Sequence, residues 1–286
     1  MYKFRPILKT LVWGTESWVL SGVPGSESVV SEGPEEGRTL SEVYGPGFPL
    51  LIKFIDARKD LSIQVHPGEE LAQKRHGCHG KTEMWYVIRA DRGARLISGF
   101  SKEIRPEEYE DLVRRDEIVS VLASHSVKAG DVFFLPAGRV HAIGEGCYLA
   151  EVQQSSDITY RIYDYGRPGL DGRPRQLHTR EAKDAIDYGV YPDYRTHYEP
   201  KKDAEVTLAD CPYFRTCLLD LDAPFSRGFD ERSDFVALVC MEGSCTVRTD
   251  KGCAALNAGE AVLLLQPDGK FTVEPQGGAK LLSAER

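Results

Sequence analysis

The segment from Gly130 to His141, GDVFFLPAGRVH, gives the strongest indication of the fold. Its first two residues form a turn before a short apolar strand, and the PAG step at 136–138 turns the chain sharply a second time. The spacing Gly-x5-Pro-x-Gly-x2-His aims His141 into the mouth of a β-barrel. Because a lone histidine in a half-buried strand is more often a core or rim residue than a metal ligand, His141 needs partners from elsewhere in the chain.

The stretch from Ser62 to Trp85, SIQVHPGEELAQKRHGCHGKTEMW, offers those partners. Successive side chains of a β-strand point to opposite faces, so Ser62, Gln64 and His66 share one face. After a polar loop, Glu83 begins the next strand. The candidate metal ligands are therefore Gln64, His66, Glu83 and His141. A set of nitrogen and oxygen ligands suits a divalent metal, zinc above all, and we expect one Zn2+ per chain with room left for water or substrate.

The spacing around His141 resembles the second signature motif of the cupin superfamily, position for position. That resemblance implies a mainly β protein with two cupin-like (jelly-roll) β-barrels and short helical insertions. We expect a catalytic, metal-binding domain over residues 1–175, a linker with a short helix over 176–205, and a cupin-like domain over 206–286. The last of these contains no histidine, so we expect it to be free of metal.

Helices and turns interrupt the predicted strands at several places. Pro106, with acidic residues behind it and arginines at 114 and 115, predicts a helix within an insertion near 101–118. Shorter helical pieces are expected at 69–75 and 180–188. Near the C terminus we expect separate strands at 234–241 and 245–249, with a turn between them at 242–244.

Composition and charge exclude several classes of protein. The chain carries a formal charge of −8 at pH 7 and its basic residues are scattered, so we expect no nucleic-acid partner. Its seven cysteines are odd in number and lack paired C-x-x-C spacing, which indicates reduced thiols. Residues 1–10 carry no apolar leader and no later run is long enough to cross a bilayer. We therefore expect a cytoplasmic protein without membrane contact.

An unusually polar strand follows His141. Polar and apolar residues alternate between positions 150 and 167, around Glu151, Gln153 and Arg161. Such groups inside a barrel need ligand, water or protein partners. The alternative is an exposed strand with surface salt bridges, which stabilise little. We favour the ligand-binding interpretation because the segment follows directly from the strand of His141.

Motifs spread over the first two-thirds of the chain carry a closer resemblance, to the type I phosphomannose isomerases in their short bacterial form. They are, in order, KTLVWG (9–14), LSIQVHP (61–67), GKTEMWY (80–86), LPAGRVHAI (135–143), SSDITYR (155–161) and YDYGR (163–167). The C-terminal barrel matches the family only loosely.

The family resemblance implies a zinc-dependent aldose-ketose isomerase that interconverts mannose 6-phosphate and fructose 6-phosphate through a cis-enediol. By that resemblance the zinc ligands are the four residues already named. The implied catalytic residues are Arg161, Glu151 and Lys81. The implied contacts to the sugar phosphate are Ser62, Lys81, Arg161 and Arg167. Glu151 is the candidate base, and Arg161 either stabilises charge on the enediolate or fixes the substrate.

The chain departs from the family pattern at one position. Longer members carry His-Lys-Pro-Glu where this chain has GKTE at 80–83. The ring-opening role of that histidine has no counterpart at Gly80. His79, one residue earlier, is the candidate substitute.

Other functions stay open at this point. Cupins include metal-dependent oxygenases, although their first motif usually supplies more than one histidine, where this chain has Gln64 and His66. A non-catalytic sugar-phosphate-binding cupin is a second alternative, and an isomerase for another sugar is a third. The expected partner is a small-molecule sugar phosphate, and the chain is expected to be a monomer or a homodimer.

Overall fold

The computed structural model describes residues 1–230 and 233–286, and these form a mainly β protein. The strands are β1 (Tyr2–Lys3), β2 (Ile7–Leu11), β3 (Gly14–Ser21), β4 (Leu50–Ala57), β5 (Ile63–Val65), β6 (Glu83–Ala90), β7 (Arg95–Phe100), β8 (Leu122–Ser126), β9 (Val132–Leu135), β10 (His141–Ile143), β11 (Cys147–Gln154), β12 (Tyr160–Tyr163), β13 (Glu205–Asp210), β14 (Arg215–Leu221), β15 (Phe225–Arg227), β16 (Phe235–Thr249), β17 (Gly252–Asn257), β18 (Ala261–Leu265) and β19 (Phe271–Glu285). The helices are α1 (Leu40–Val43), α2 (Glu69–His76), α3 (Pro106–Arg114) and α4 (Thr179–Ala185), with 3-10 turns at Ile118–Val121 and Gln266–Asp268.

These elements group into two compact units. The central unit comprises residues 9–16 and 55–195, and the terminal unit comprises residues 1–8, 17–54 and 196–286. The domain boundaries expected from the sequence stay a prediction. No helix among the described residues is long and apolar enough to span a membrane.

The central unit is built on two open sheets. One has the strand order β12-β5-β10-β7-β8, and the strands β11, β6 and β9 lie side by side in the other, whose full order is β2-β3-β4-β11-β6-β9. Leu96 and Ile143 from the first sheet pack with Trp85 and Phe133 from the second in one buried cluster. The interior between the sheets is therefore apolar at this level. The mainly β, cupin-like fold class is confirmed, as a sandwich of open sheets.

The strand that carries the first predicted ligands alternates as expected. Ile63 and Val65 are fully buried in a second cluster, together with Tyr109 of α3 and Ala182 of α4. These helices cover the outer face of the five-stranded sheet. The side chain of Gln64, which lies between these two apolar residues, consequently points to the interior.

The predicted helices are present with small changes of boundary. The inserted helix α3 begins at Pro106, where the missing N–H of proline costs nothing in the first turn. Glu108 accepts a 2.8 Å hydrogen bond from the backbone N–H of Arg105 and so caps this end. Helix α2 extends one residue past the prediction, to position 76, and α4 ends earlier, at position 185.

The terminal unit contains an eight-stranded sheet with the central order β1-β18-β16-β19-β14-β13. The turn predicted at 242–244 was wrong, because β16 continues through it against β19. The register shifts on either side of Gly243, whose φ of 74° is the left-handed conformation that glycine adopts at a bulge. Gly243 does mark a change in backbone direction, but the change is a bulge within one long strand.

Candidate functional site

Three buried side chains converge inside the central unit: His66, Glu83 and His141. Their ligand atoms all lie within 4.8 Å of one another. His66 Nε2 is 3.5 Å from Glu83 Oε2, and His141 Nε2 is 3.2 Å from Glu83 Oε1. Each of the three residues is only 1% exposed. The side chains expected from two separate sequence motifs therefore form one cluster.

The register of the sheets positions this cluster. His141 of β10 lies opposite Gln64 of β5, and Gln64 lies opposite Arg161 of β12. His66 follows Gln64 by two positions and faces the same way, while Glu83 enters from β6 of the other sheet. A slip of one residue in any of these pairings would turn the side chain out of the interior.

Both histidines are fixed in the tautomer that a metal ion requires. His66 Nδ1 is 2.8 Å from the carbonyl oxygen of Ile158, and His141 Nδ1 is 2.8 Å from that of Arg139. A carbonyl can only accept, so each Nδ1 carries the proton and each Nε2 offers its lone pair. Burial, followed by the positive charge of Lys81, lowers the pKa of His66 to about 3, and burial also lowers the pKa of His141. Both rings are neutral at pH 7.

The charge of Glu83 is balanced by Lys81. The two residues are two positions apart in extended chain, and Lys81 Nζ lies 3.3 Å from Glu83 Oε2, with both side chains buried. Burial favours the protonated acid, but Lys81, followed by His141 and His66, acts in the opposite direction, and together they hold the pKa of Glu83 well below its usual value. The cluster thus presents one carboxylate and two neutral imidazoles.

The donor set fits a zinc ion. Among the described residues none forms an aligned hydrogen bond to His66 Nε2 or to either carboxylate oxygen of Glu83, although all three atoms are buried; Glu83 Oε2 has the charge of Lys81 at 3.3 Å but no aligned donor. Buried polar atoms are normally paired, so three that converge suit a shared cation. Zinc bonds of about 2.1 Å in a tetrahedron place ligand atoms roughly 3.4 Å apart. The histidine nitrogens lie 3.2 and 3.5 Å from the two oxygens of Glu83, and the ligand atoms of all three residues lie within 4.8 Å of one another, so the three groups are close enough to share one ion.

Gln64 and Ser62 lie beside the cluster on the same strand face. Gln64 Nε2 is 3.2 Å from His141 Nε2, and the Ser62 hydroxyl is 3.5 Å from Gln64 Oε1. A half-turn of the amide exchanges its oxygen and nitrogen, so Gln64 can present either atom to the cluster. Its role as a ligand, and that of Ser62 as a substrate contact, stay predictions.

The polar strand after His141 faces the interior, so the exposed alternative was wrong. Glu151 and Gln153 of β11 are both buried. Glu151 lies opposite Trp85, whose indole N–H donates a 2.7 Å hydrogen bond to its carboxylate. The Trp85 ring meets the His141 ring edge to face, with 5.3 Å between centroids. Glu151 is thus linked to His141 of the buried cluster through a single aromatic side chain.

Three arginines, at positions 161, 167 and 175, lie near Asp164, at the Arg161 end of the row formed by His141, Gln64 and Arg161. We call them the arginine cluster. Arg167 and Arg175 both donate to the carboxylate of Asp164, at 2.8 and 2.6 Å. Arg161 is half-buried, and burial and then the charge of Arg175 lower the pKa of its guanidinium. Its Nη1 donates to the carbonyl oxygen of Gln176 at 2.9 Å. Three guanidinium groups around one carboxylate leave an excess of positive charge.

His79 lies on the surface, next to a carboxylate. Its Nδ1 is 2.7 Å from Glu69 Oε1, and its side chain is 67% exposed. The other oxygen of Glu69 accepts from the backbone N–H of Gly80 at 2.9 Å. A Cβ at Gly80 would lie 2.6 Å from the backbone nitrogen of Glu69, so this position has no room for a side chain. The ring-opening role of His79 stays a prediction.

Sequence reasoning missed two residues at the site. Arg175 is in the connection after the last motif, where nothing in the sequence sets one arginine apart from its neighbours. Arg139 is inside the motif that contains His141, but was treated only as a spacer. Its buried guanidinium and its carbonyl contact to His141 appear only in three dimensions.

Comparison with known proteins places this geometry in a family. A family model described as phosphomannose isomerase type I, catalytic domain, matches residues 16–94. Mannose-6-phosphate isomerase ManA of Bacillus subtilis is 33% identical over 301 residues, which cover 95% of this chain and 95% of that protein. The solved structure of the mannose 6-phosphate isomerase from Bacillus subtilis matches with a TM-score of 0.89 and 29% identity, over 99% of this chain and 98% of that one.

A more distant match shares the fold. A mannose 6-phosphate isomerase solved in its zinc-bound form has the same fold, with a TM-score of 0.76 and 16% identity over 100% of this chain and 99% of that one. The near-complete coverage by the Bacillus subtilis relative, at 33% identity, is decisive for the family. This chain belongs to the type I phosphomannose isomerase family.

Proposed function

We propose that this chain is a zinc-dependent isomerase that interconverts mannose 6-phosphate and fructose 6-phosphate through a cis-enediol. The observation that carries the proposal is the buried cluster of His66, Glu83 and His141, with Lys81 and Arg161 close by in a member of this family. The names of the relatives support the substrate, and the zinc-bound relative supports the metal.

The cluster residues would hold the zinc ion, and Gln64 would add its amide oxygen after a half-turn of the amide. Zinc bound there supplies positive charge that polarises the sugar carbonyl and makes the neighbouring C–H more acidic. Lys81 lies beside Glu83, and its ammonium group is suited to donate to an oxygen at the reacting end of the sugar. In the metal-free protein the ammonium group of Lys81 also keeps Glu83 ionised.

The arginine cluster would receive the phosphate group. Guanidinium groups bind phosphate through paired hydrogen bonds, and the cluster has more positive than negative charge. Arg161, the third arginine of this group, lies opposite Gln64 on the neighbouring strand. We therefore assign it to the substrate, either at the phosphate or at the developing negative charge of the enediolate. Arg175 joins Arg167 in this role, since both surround Asp164.

Glu151 would move the proton. Its carboxylate takes the proton from C2 of the open-chain aldose, which breaks the C2–H bond, and returns it to C1 on the same face. The O2 hydroxyl proton passes to O1, so the aldehyde becomes an alcohol and C2 becomes the ketone carbon. Trp85 fixes the orientation of the carboxylate through its indole N–H. A buried carboxylate so fixed fits general-base catalysis.

The proposal is tested by isomerisation of mannose 6-phosphate, measured by enzymatic detection of fructose 6-phosphate, before and after metal removal with a chelator. We expect turnover that is lost with the metal and restored by added zinc. Free mannose serves as the comparison substrate, since a phosphate site predicts a large preference for the phosphorylated sugar. Absence of turnover in protein that contains zinc would refute the proposal and favour a binding protein. Equal turnover of mannose would refute the assigned substrate.

A further inference from the structure

One turn of the central unit contacts residues at or next to all three proposed metal ligands. We call residues 136–139 the ligand turn. The N–H of Gly138 donates to the carbonyl oxygen of His66 at 2.9 Å, and the N–H of Ala137 lies 3.3 Å from the hydroxyl of Thr82, the residue before Glu83. The geometry of this turn therefore affects the first two ligands through one hydrogen bond each.

The third ligand depends on the ligand turn more directly. The carbonyl oxygen of Arg139 accepts the Nδ1–H of His141 at 2.8 Å. This is the contact that places the proton on Nδ1 and leaves Nε2 as the ligand atom. Any rotation of the peptide group after Arg139 would weaken it, so the stability of this peptide group decides how the ring is held.

The guanidinium group of Arg139 contacts two aromatic rings. Its guanidinium carbon is 4.6 Å from the ring centroid of Tyr191 and 4.6 Å from that of Tyr194. Arg139 is 8% exposed, and among the described residues none accepts a hydrogen bond from its Nε. Planar guanidinium groups stack on aromatic faces, and burial strengthens that attraction. We call Tyr191 and Tyr194 the tyrosine clamp.

The tyrosine clamp is itself fixed in place. The hydroxyl of Tyr194 donates to the carbonyl oxygen of Phe100 at 2.7 Å and accepts from the backbone N–H of Tyr191 at 3.2 Å. The hydroxyl of Tyr191 donates to Asp187 at 2.7 Å, and the N–H of Asp187 donates to Gly138 of the ligand turn at 2.8 Å. The clamp and the turn are thus tied to each other twice.

The sequence also leaves space for the clamp. A Cβ at Gly99 would lie 2.1 Å from the ring of Tyr194, so only glycine allows the ring to come this close. Gly99 has a φ of 77°, and its N–H donates to the carbonyl oxygen of Val140 at 2.8 Å, between Arg139 and His141. Several independent features therefore support the same short stretch of backbone.

We propose that Arg139, held by the tyrosine clamp, is a positioning residue for the metal ligand His141. The inference rests on the proposed zinc function. The clamp immobilises the side chain, the side chain fixes the peptide group of Arg139, and its carbonyl sets the tautomer and the direction of the imidazole. Without the clamp, part of the population carries the proton on Nε2, where it blocks the metal. A group that accepts the second ring N–H of a ligating histidine, as the carbonyl of Arg139 does, typically contributes about 10–100-fold to metal affinity.

The test compares Arg139→Met with Arg139→Lys and with Arg89→Met as the matched control. Arg89 stacks on Tyr148 at 5.5 Å at an exposed position of the same unit, so its loss removes a similar contact elsewhere. Zinc affinity is measured by competition with a chromophoric chelator. The tautomer of His141 is read from long-range 1H–15N correlation spectra of the metal-free protein.

We expect Arg139→Met to weaken zinc binding measurably, up to the ~10–100-fold that loss of the carbonyl partner itself would cost, with signals of both His141 tautomers in the metal-free protein. Arg139→Lys should recover part of the affinity, because an ammonium group still binds the ring faces. Arg89→Met should match the parent protein in both measurements. Unchanged affinity together with a single Nδ1–H tautomer in Arg139→Met would overturn the inference, even if that variant is less stable.

If Arg139→Met does not fold, Tyr191→Leu tests whether the tyrosine clamp positions His141. Tyr191 is 43% exposed, so its replacement is mild for the fold but opens one side of the clamp. Weaker zinc binding with mixed tautomers would support the inference, and parent-like values would overturn it. If the parent protein binds no zinc, the proposed function fails. The tautomer spectra of the metal-free proteins still decide whether Arg139 positions His141.

Discussion

Replacement of Lys81 by methionine tests how the metal-free site tolerates its buried charge. Lys81 Nζ lies 3.3 Å from Glu83 Oε2, with both side chains buried. Methionine keeps much of the length of the lysine side chain but removes the ammonium group. We expect the metal-free variant to be strongly destabilised, while zinc binding is kept or becomes tighter, because Zn2+ itself supplies positive charge to Glu83.

The magnitude follows from the geometry. Opposite unit charges separated by the observed 3.3 Å attract each other by about 5 kcal/mol at an effective dielectric constant near 20. Loss of one partner of a buried pair typically costs about 3–5 kcal/mol. Protonation limits that cost, since converting Glu83 to the neutral acid at about pH 7.5 requires roughly 4 kcal/mol when its unfolded pKa is near 4.3. We therefore expect a loss of ~3–4 kcal/mol in the free energy of unfolding.

The cost should depend on pH with a definite sign. Without Lys81 we expect burial to raise the folded pKa of Glu83 above its unfolded value, so the penalty disappears at low pH and grows as pH rises. At about pH 5.5 the limit set by protonation falls to roughly 2 kcal/mol. The difference in the free energy of unfolding between the parent and variant proteins should accordingly be smaller at about pH 5.5 than at about pH 7.5.

The assay is thermal unfolding of the metal-free and zinc-loaded proteins, combined with chelator competition for zinc affinity. A loss of ~3–4 kcal/mol corresponds to roughly 6–16 °C in the unfolding midpoint. Lys183→Met is the matched control, because it breaks the partly exposed ion pair with Glu110 at 2.9 Å in the same unit. That control should cost at most about 1 kcal/mol. A metal-free Lys81→Met protein as stable as the control, or one that binds zinc more weakly, would refute the reasoning.

Two further predictions concern the proton transfer and the arginine cluster. Glu151→Gln should keep the shape and the zinc content but lower kcat by about 10²–10⁴-fold, as measured by the isomerisation assay with metal analysis; near-parent turnover would exclude Glu151 as the base. Although burial favours the protonated form, hydrogen bonds from Arg175 and Arg167 hold the pKa of Asp164 below its usual value. Its ion pairs therefore stabilise the fold at neutral pH and are lost as the pH falls below about 4. Asp164→Asn should unfold at a lower temperature than the parent at neutral pH, with a difference that shrinks in acid; a constant difference would contradict this assignment.

The convergence of the candidate metal ligands was predictable because local rules determine where their side chains point. Alternation along β5 places Ile63 and Val65 in the apolar cluster behind the sheet and Gln64 towards the interior. The same rule puts Glu151 inside, next to Trp85. A failure of local reasoning is equally specific: the glycine at 243 indicated a turn, and only pairing with β19 shows that the strand continues through a bulge.

Strand alternation and motif spacing act over a few residues, and they were enough to predict the mainly β class, the inserted helix and the grouping of His66, Glu83 and His141. How these groups are charged and held follows from tertiary packing. The pKa of Glu83 depends on how deeply it is buried beside Lys81, and the ring of His141 depends on an arginine clamped by tyrosines about fifty residues further along the chain. Burial and contacts between distant residues arise only when the sheets pack, and no local pattern encodes them.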